Sequence, residues 1–301
     1  MKKTNHKFQR AMASLLAFIM VMLSTSLLTM ISVLAADGDI TYLAPVYDAD
    51  GNMTFDGDGN VIMAEQTLTD GTYNVVTTST TVMGTTDTAA VADANGEYWY
   101  VVNENVTMPT TITGITVTGK VHFILCDGVA LDMSFDTLTV SEGNELTIYG
   151  QENGTGTLKA NTNNSNSSTG AGIGGNVSSP NAGKITINGG MVSARGATNS
   201  GAGIGGGNGG NGGEITINGG TVAATGGTYY GAGIGGSGGG SGGNITINGG
   251  QVVANAGSES AAIGGSLHGS SGNITINGGT VTAMTNSGSY SCGIGAAKPE
   301  N

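Results

Sequence analysis

The amino-acid sequence predicts an all-β fold: a right-handed parallel β-helix of about 30 residues per rung, with a small β-rich segment before it. Three observations carry the prediction. The hexapeptide I-T-I-N-G-G recurs at Ile185, Ile215, Ile245 and Ile274, at spacings of 30, 30 and 29 residues. A short apolar run follows each copy, at Val192–Ala194, Val222–Ala224, Val252–Ala254 and Val281–Ala283. A G-A-G-I-G-G-like segment centres on Ile173, Ile204, Ile234, Ile263 and Ile294. Within I-T-I-N the isoleucines point one way and the threonine the other, the period-2 pattern of a strand with one buried face. A unit of three short strands cannot bury that face alone, so successive units must stack at the ~4.8 Å strand spacing into continuous ladders. Handedness follows from the general crossover rule.

The elements follow in chain order. Residues 1–36 read as a signal peptide: Lys2, Lys3, Lys7 and Arg10 precede an apolar run from Ala11 to Leu34, and Val33-Leu34-Ala35 closes it with small residues. Export to the cell surface or the extracellular space is the expectation, with no membrane span after cleavage. Residues 37–94 form an acidic β-rich segment, and 95–301 the β-helix, with regular rungs from about 146, where Leu146-Thr-Ile148 begins the weaker upstream copies. The 21 acidic residues all lie from Asp37 onward, against five of the nine basic residues, and 18 of those acids fall before residue 153. Such a charge repels nucleic acid and anionic membrane, so neither is an expected partner.

The glycines need an explanation, because residues 153–301 hold 44 of the 56. Gly201–Gly206 and Gly231–Gly236 match G-x-G-x-x-G. A dinucleotide loop also needs a following helix and an acid ~20 residues on, which neither copy has. β-Helix corners, which require positive φ and close backbone approach, explain the glycines instead. The runs Gly205–Gly213 and Gly235–Gly243 read as flexible external loops. Lys184 and Glu214 occupy equivalent positions, so stacking predicts an ion pair between adjacent rungs. Cys126 and Cys292 lie about five rungs apart, roughly 24 Å, too far for a disulfide, and are expected as buried free thiols.

Candidate chemistry is sparse. Only three acids follow residue 153, Arg195 is the only arginine after the signal, and His268 has no carboxylate close to it in sequence. Neither paired carboxylates nor a nucleophile elbow is visible, so no catalytic residue is assigned and an enzyme is not expected. The stretch "YDADGNMTFDGDGN" places Asp48, Asp50, Asn52, Asp56, Asp58 and Asn60 at alternate positions, as calcium loops do. Yet Met53 stands where such a loop needs glycine, and the twelfth-position glutamate is missing. Two hairpin turns with Asp-Gly corners are the simpler reading. Candidate sugar-binding aromatics are Trp99, within Tyr98-Trp99-Tyr100, and Tyr229-Tyr230, which occur in one repeat only. No cofactor other than calcium is suggested.

The stretches "ITVTGKVHFILCDGVALDM" and "LTVSEGNELTIYGQENGTGTLKA", together with the GAGIGG and ITINGG repeats, resemble glycine-rich surface proteins of Gram-positive, often gut-dwelling bacteria. These are similar in turn to β-helical carbohydrate-binding domains of the pectin-lyase-like type. The resemblance covers roughly residues 95–301. It implies a non-catalytic, adhesin-like protein that binds polysaccharide or a host or bacterial surface glycan. The alternatives are a structural spacer or fragment of a larger surface protein, displaying the N-terminal segment, and a lyase- or hydrolase-like enzyme. The chain stops just after the Ile294 segment, so its last rung is expected to expose strand edges that associate with another chain.

Overall fold

The computed structural model describes residues 38–112, 114–134, 136–161, 170–286 and 290–297. The signal-peptide reading falls on residues 1–36, outside the described residues.

The chain is a parallel β-helix. Its described strands form three long parallel sheets of eight, eight and seven strands, plus one two-stranded antiparallel sheet. Each I-T-I-N unit enters one sheet: Lys184–Ile187, Glu214–Ile217, Asn244–Ile247 and Asn273–Ile276 pair in register, isoleucine on isoleucine and threonine on threonine. The V-x-A runs form the second sheet and the G-I-G segments the third. The inward side chains, including Ile185, Ile187, Val192, Ala194, Ile204 and their equivalents, join one continuous core. Lys184 and Glu214 meet at 3.3 Å as stacking predicts. Both are about half exposed, which limits the pair to about 0–1 kcal/mol.

Between the first and second sheets the Asn-Gly-Gly corners add a buried amide ladder. Asn218 Nδ2 donates to Asn188 Oδ1 at 2.8 Å, Asn248 Nδ2 to Asn218 Oδ1 at 2.8 Å, and Asn277 Nδ2 to Asn248 Oδ1 at 2.7 Å. Each bond contributes a net ~0.5–1.5 kcal/mol, and it satisfies polar groups that would be costly if buried alone. The repeated asparagine therefore does more than open a turn. It locks one rung to the next.

Four expectations need correction. The solenoid begins near residue 74, not 95: Asn74–Val75 pairs with Tyr98–Val102, and Val82–Gly84 with Gly114–Thr118, inside the long sheets. The charge boundary misled here because Tyr73, Val76 and Met83 bury in the core although acids such as Asp70 and Asp87 flank them in sequence. Register is likewise regular upstream of 146, since Lys120–Leu125 pairs residue for residue with Glu145–Gly150. The glycine runs are not loose loops either. A Cβ at Gly210 would lie 1.9 Å from Pro180 O, and one at Gly212 would lie 2.0 Å from Gly242 O. These segments pack backbone against backbone, a spacing that only glycine permits. Cys126 and Cys292 are free thiols as expected, but Cys292 is only partly buried, lying in an end strand of its sheet.

The acidic segment is an arm folded back on the solenoid. Ile40–Pro45 pairs antiparallel with Met63–Leu68. Gln151 Nε2 donates to Thr41 O at 2.8 Å, and Tyr73 Oη donates to Gly38 O at 2.8 Å. Farther out, Asn248 Nδ2 reaches Met53 Sδ at 3.7 Å, and a Cβ on Gly278 would stand 2.8 Å from Gly59 O. The arm thus runs along the Asn-Gly-Gly corners across several rungs.

Candidate functional site

The strongest candidate site lies on the loops that close the third corner of the rungs built on Ile215 and Ile245. Gly226-Gly227 ends the strand Thr221–Thr225, and the chain then crosses to Ile234–Gly235. In this crossing Thr228 N donates to Thr198 O at 2.7 Å, while one rung on Ser258 N donates to Thr228 O at 2.9 Å and Glu259 N to Tyr229 O at 2.7 Å. The loop backbone is therefore stacked like a strand and rigid. Buried hydroxyls reinforce it: Ser237 Oγ accepts from Gly201 N at 2.7 Å and Ser266 Oγ from Gly239 N at 2.7 Å.

On this fixed backbone the side chains face outward. Tyr229 is 50% and Tyr230 41% exposed, high values for phenol rings that a fold otherwise buries. Their ring centroids are 6.2 Å apart with planes at 43°. Beside them opens a cavity of about 330 Å3 lined by Asn208, Tyr230, Gly238, Gly239, Glu259, Leu267 and His268. Tyr230 and Glu259 are neighbours on adjacent rungs, and Leu267 N donates to Glu259 O at 2.8 Å, which ties the far wall to the near one. An aromatic face, a carboxylate, an imidazole and an amide converge there. That combination suits a ligand with one apolar face and a rim of hydroxyls.

His268 and Glu259 are the residues that sequence reasoning missed. They stand nine residues apart, and only the turn between Ser260 and Ser266, which bridge antiparallel, brings them to one cavity. A signal was nevertheless present. Aligned on Gly205, Gly235 and Gly264, the pairs Asn208-Gly209 and Gly238-Gly239 are replaced by Leu267-His268. Gly209 and Gly239 have φ of +78° and +97°, and His268 keeps φ at +70°, the one positive-φ non-glycine among the described residues. The left-handed conformation costs an L-residue roughly 1–2 kcal/mol, so the imidazole is held at a place where the fold favours no side chain.

The other candidates lie elsewhere. Trp99 is four rungs before the tyrosines, roughly 19 Å along the axis, and is part of the seam between arm and solenoid. It stacks on His122 at 4.2 Å and packs on Tyr42 at 5.1 Å, so its ring is not the open sugar platform its sequence suggests. In the same seam His122 Nε2 meets Glu97 Oε2 at 2.8 Å and Nδ1 meets Tyr149 Oη at 3.0 Å. In the neutral tautomer with Nε2 protonated, Nε2 donates to the carboxylate and Nδ1 accepts from the phenol. Burial pushes the phenols of Tyr42 and Tyr149 above the ordinary tyrosine range. This cluster fastens the arm through the second core cluster around Tyr73, Val101, Ile124 and Tyr149.

Asp48, Asp50, Asn52, Asp56, Asp58 and Asn60 build two consecutive hairpin turns. Asp48 Oδ1 accepts from Asp50 N and Asn52 N at 2.9 Å each, and Asp56 Oδ1 from Asp58 N at 2.9 Å and Asn60 N at 2.8 Å. The turn bonds account for the spacing of these residues, and among the described residues no three acidic, histidine or cysteine side chains converge as a metal set. Backbone donation, from Asn52 and Asn60 respectively, holds the Asp48 and Asp56 carboxyls below their ordinary range. A depressed folded pKa contributes stability above the unfolded value and loses it as pH falls through the folded one. Relative to intrinsic exchange at the same pH, amide protection at Asn52 and Asn60 should therefore fall selectively below about pH 4, while the Ile215 and Ile245 ladders stay protected. Uniform loss of protection along the chain would contradict this.

Residues 185–208, 215–240, 245–267 and 274–298 match the family model described as Beta helix repeat. No curated protein and no solved structure matches the chain.

Proposed function

We propose that this protein is a secreted or surface-held, non-catalytic β-helix that binds glycan, with Tyr229 and Tyr230 as the aromatic platform. One observation carries the reading: of two exposed tyrosines peculiar to one repeat, Tyr230 lines a cavity with Asn208, Glu259 and His268, and the Tyr229 ring lies 6.2 Å from it. A pyranose offers an apolar face for a phenol ring and hydroxyls for the polar wall. The rigid, laddered loop lowers the ordering cost of binding. The resemblance to glycine-rich surface proteins and the charge-based exclusion of nucleic acid point the same way.

Two features favour binding over the alternatives. The arm lies along the solenoid instead of projecting from it, which weakens the idea of a spacer displaying the acidic segment. The hydrogen-bonded Glu97–His122–Tyr149 set, nearest in kind to acid–base machinery, sits beneath Tyr42 and Trp99 in the arm seam. At the far end Ile276, Met284 and Ile294 are 43–49% exposed on the last strands of the three sheets. That end is where association with another chain is proposed.

A glycan array, with and without calcium, tests the reading. Binding by the unmodified chain, lost at least about tenfold in Tyr229→Ala/Tyr230→Ala with the fold intact, is the expected result. Calcium-independent binding would place the 48–60 turns outside the function. Absence of binding across the array would favour the spacer, and release of reducing ends would favour an enzyme.

A further inference from the structure

We propose that the Tyr230–Glu259–His268 groove selects sugars bearing a free ammonium group, a polymer of glucosamine type, over neutral and anionic sugars. The inference rests on the glycan reading above and names its substrate class.

The polar wall decides the class. Glu259 is half-buried and lines the cavity, and among the described residues its carboxylate holds no ion pair or side-chain hydrogen bond. No lysine or arginine lines the groove. A uronate, sulfate or sialate would therefore meet a carboxylate with no cation to offset it, inside a chain whose exported part carries five basic residues against 21 acidic ones. Like charges at such a site oppose binding. A neutral sugar is tolerated but leaves the carboxylate with hydroxyl partners only. An ammonium group donates a charge-assisted hydrogen bond to the Glu259 carboxylate, and the Tyr230 face on the neighbouring rung favours a cation as well.

His268 supplies the second hint that the groove is built for a ligand. Where the two preceding rungs have glycine at positive φ, this one keeps an exposed imidazole at φ +70°. A purely structural residue at that position would be glycine, which relieves the strain. A side chain retained against the backbone preference points to a role outside the backbone, here as a hydrogen-bonding partner for ring hydroxyls.

The test uses the full chain and three probes of equal length: an oligomer of β-1,4-linked glucosamine, its fully N-acetylated counterpart, and an oligogalacturonate. Calorimetric titration at about pH 5.5, where the sugar amines are protonated, should show the free-amine oligomer binding about tenfold tighter than the acetylated one, and the galacturonate weakest. Glu259→Gln should abolish the preference, bringing the affinity for the free-amine oligomer down to that for the acetylated one. His268→Gly should weaken both glucosamine-based oligomers about fivefold while thermal stability stays equal or rises. Equal affinity for the free-amine and acetylated oligomers would overturn the inference. So would a preference that survives Glu259→Gln, because the chain's overall charge would then be its source. If the acetylated oligomer binds and requires Tyr229 and Tyr230 but no preference exists, the glycan reading stands and this inference falls. If no probe binds, this inference falls, and the glycan reading is decided by the array.

Discussion

Gly205→Ala is expected to destabilise the central rungs severely, by roughly 2–6 kcal/mol. Gly205 has φ +136°, and an added Cβ would lie 2.0 Å from Gly235 O. Two costs combine. The backbone conformation is one that only glycine adopts freely, at ~1–3 kcal/mol. The clash is with the backbone of the next rung, which no rotamer change relieves, adding ~1–3 kcal/mol of overpacking. The same geometry recurs at Gly174, Gly235 and Gly264, each with φ between +132° and +136° and a Cβ contact of 2.0 Å or less. Relief at one rung therefore strains the next. Gly57→Ala in the arm, where nothing lies within 4 Å of the added Cβ, should change stability by less than about 1 kcal/mol. Thermal unfolding followed by far-ultraviolet circular dichroism separates them. A Gly205→Ala protein melting like the unmodified chain would mean the rungs are not stacked this tightly.

Ile215→Ala is the second large effect. Ile215 is fully buried and lies in register between Ile185 and Ile245, so its removal opens a cavity bounded by both neighbours. Backbone pairing holds the rungs at fixed spacing and prevents collapse into the space. A cost of about 2–5 kcal/mol follows, which lowers the melting temperature by about 5–15 °C. Ile276→Ala is the internal comparison: the same residue type at 43% exposure on an edge strand should cost below about 1 kcal/mol. Equal shifts for the two would argue against a continuous isoleucine core.

The architecture was legible because stacking turns sequence repetition directly into spatial contact. Ile185, Ile215, Ile245 and Ile274 share one column for the same reason that they recur, and Lys184 met Glu214 on that logic. The extent of the solenoid was less legible. Asn74–Val75 and Val82–Gly84 pair correctly without carrying the repeat, since a two- or three-residue strand needs only one or two buried side chains, such as Met83. Composition also misled about the glycine runs. Flexible and tightly packed glycine look alike in sequence, and only the approach of Gly210 to Pro180 O tells them apart. The position of the arm could not be read at all, because Gln151 and Thr41 are 110 residues apart and share no pattern.

The candidate site was half legible. Tyr229 and Tyr230 stood out as an interruption of the repeat. Glu259 and His268 were judged singly, by their neighbours in sequence, although the repeat alignment already marked His268 as a departure from glycine. Trp99 stood out by residue type alone. Its strand register, opposite His122 and beside Tyr149, buries that aromatic face beneath the arm.

The most direct measurement is an amide and tyrosine-ring NMR map of the full chain titrated with an oligosaccharide that binds it. Shifts confined to Tyr229, Tyr230, Ser258–Ser260 and Leu267–Gly269, with Trp99 and the 48–60 turns unmoved, are the expected result. Shifts centred on the arm seam, or on the exposed strands around Ile276 and Ile294 with the tyrosine loop silent, would contradict it.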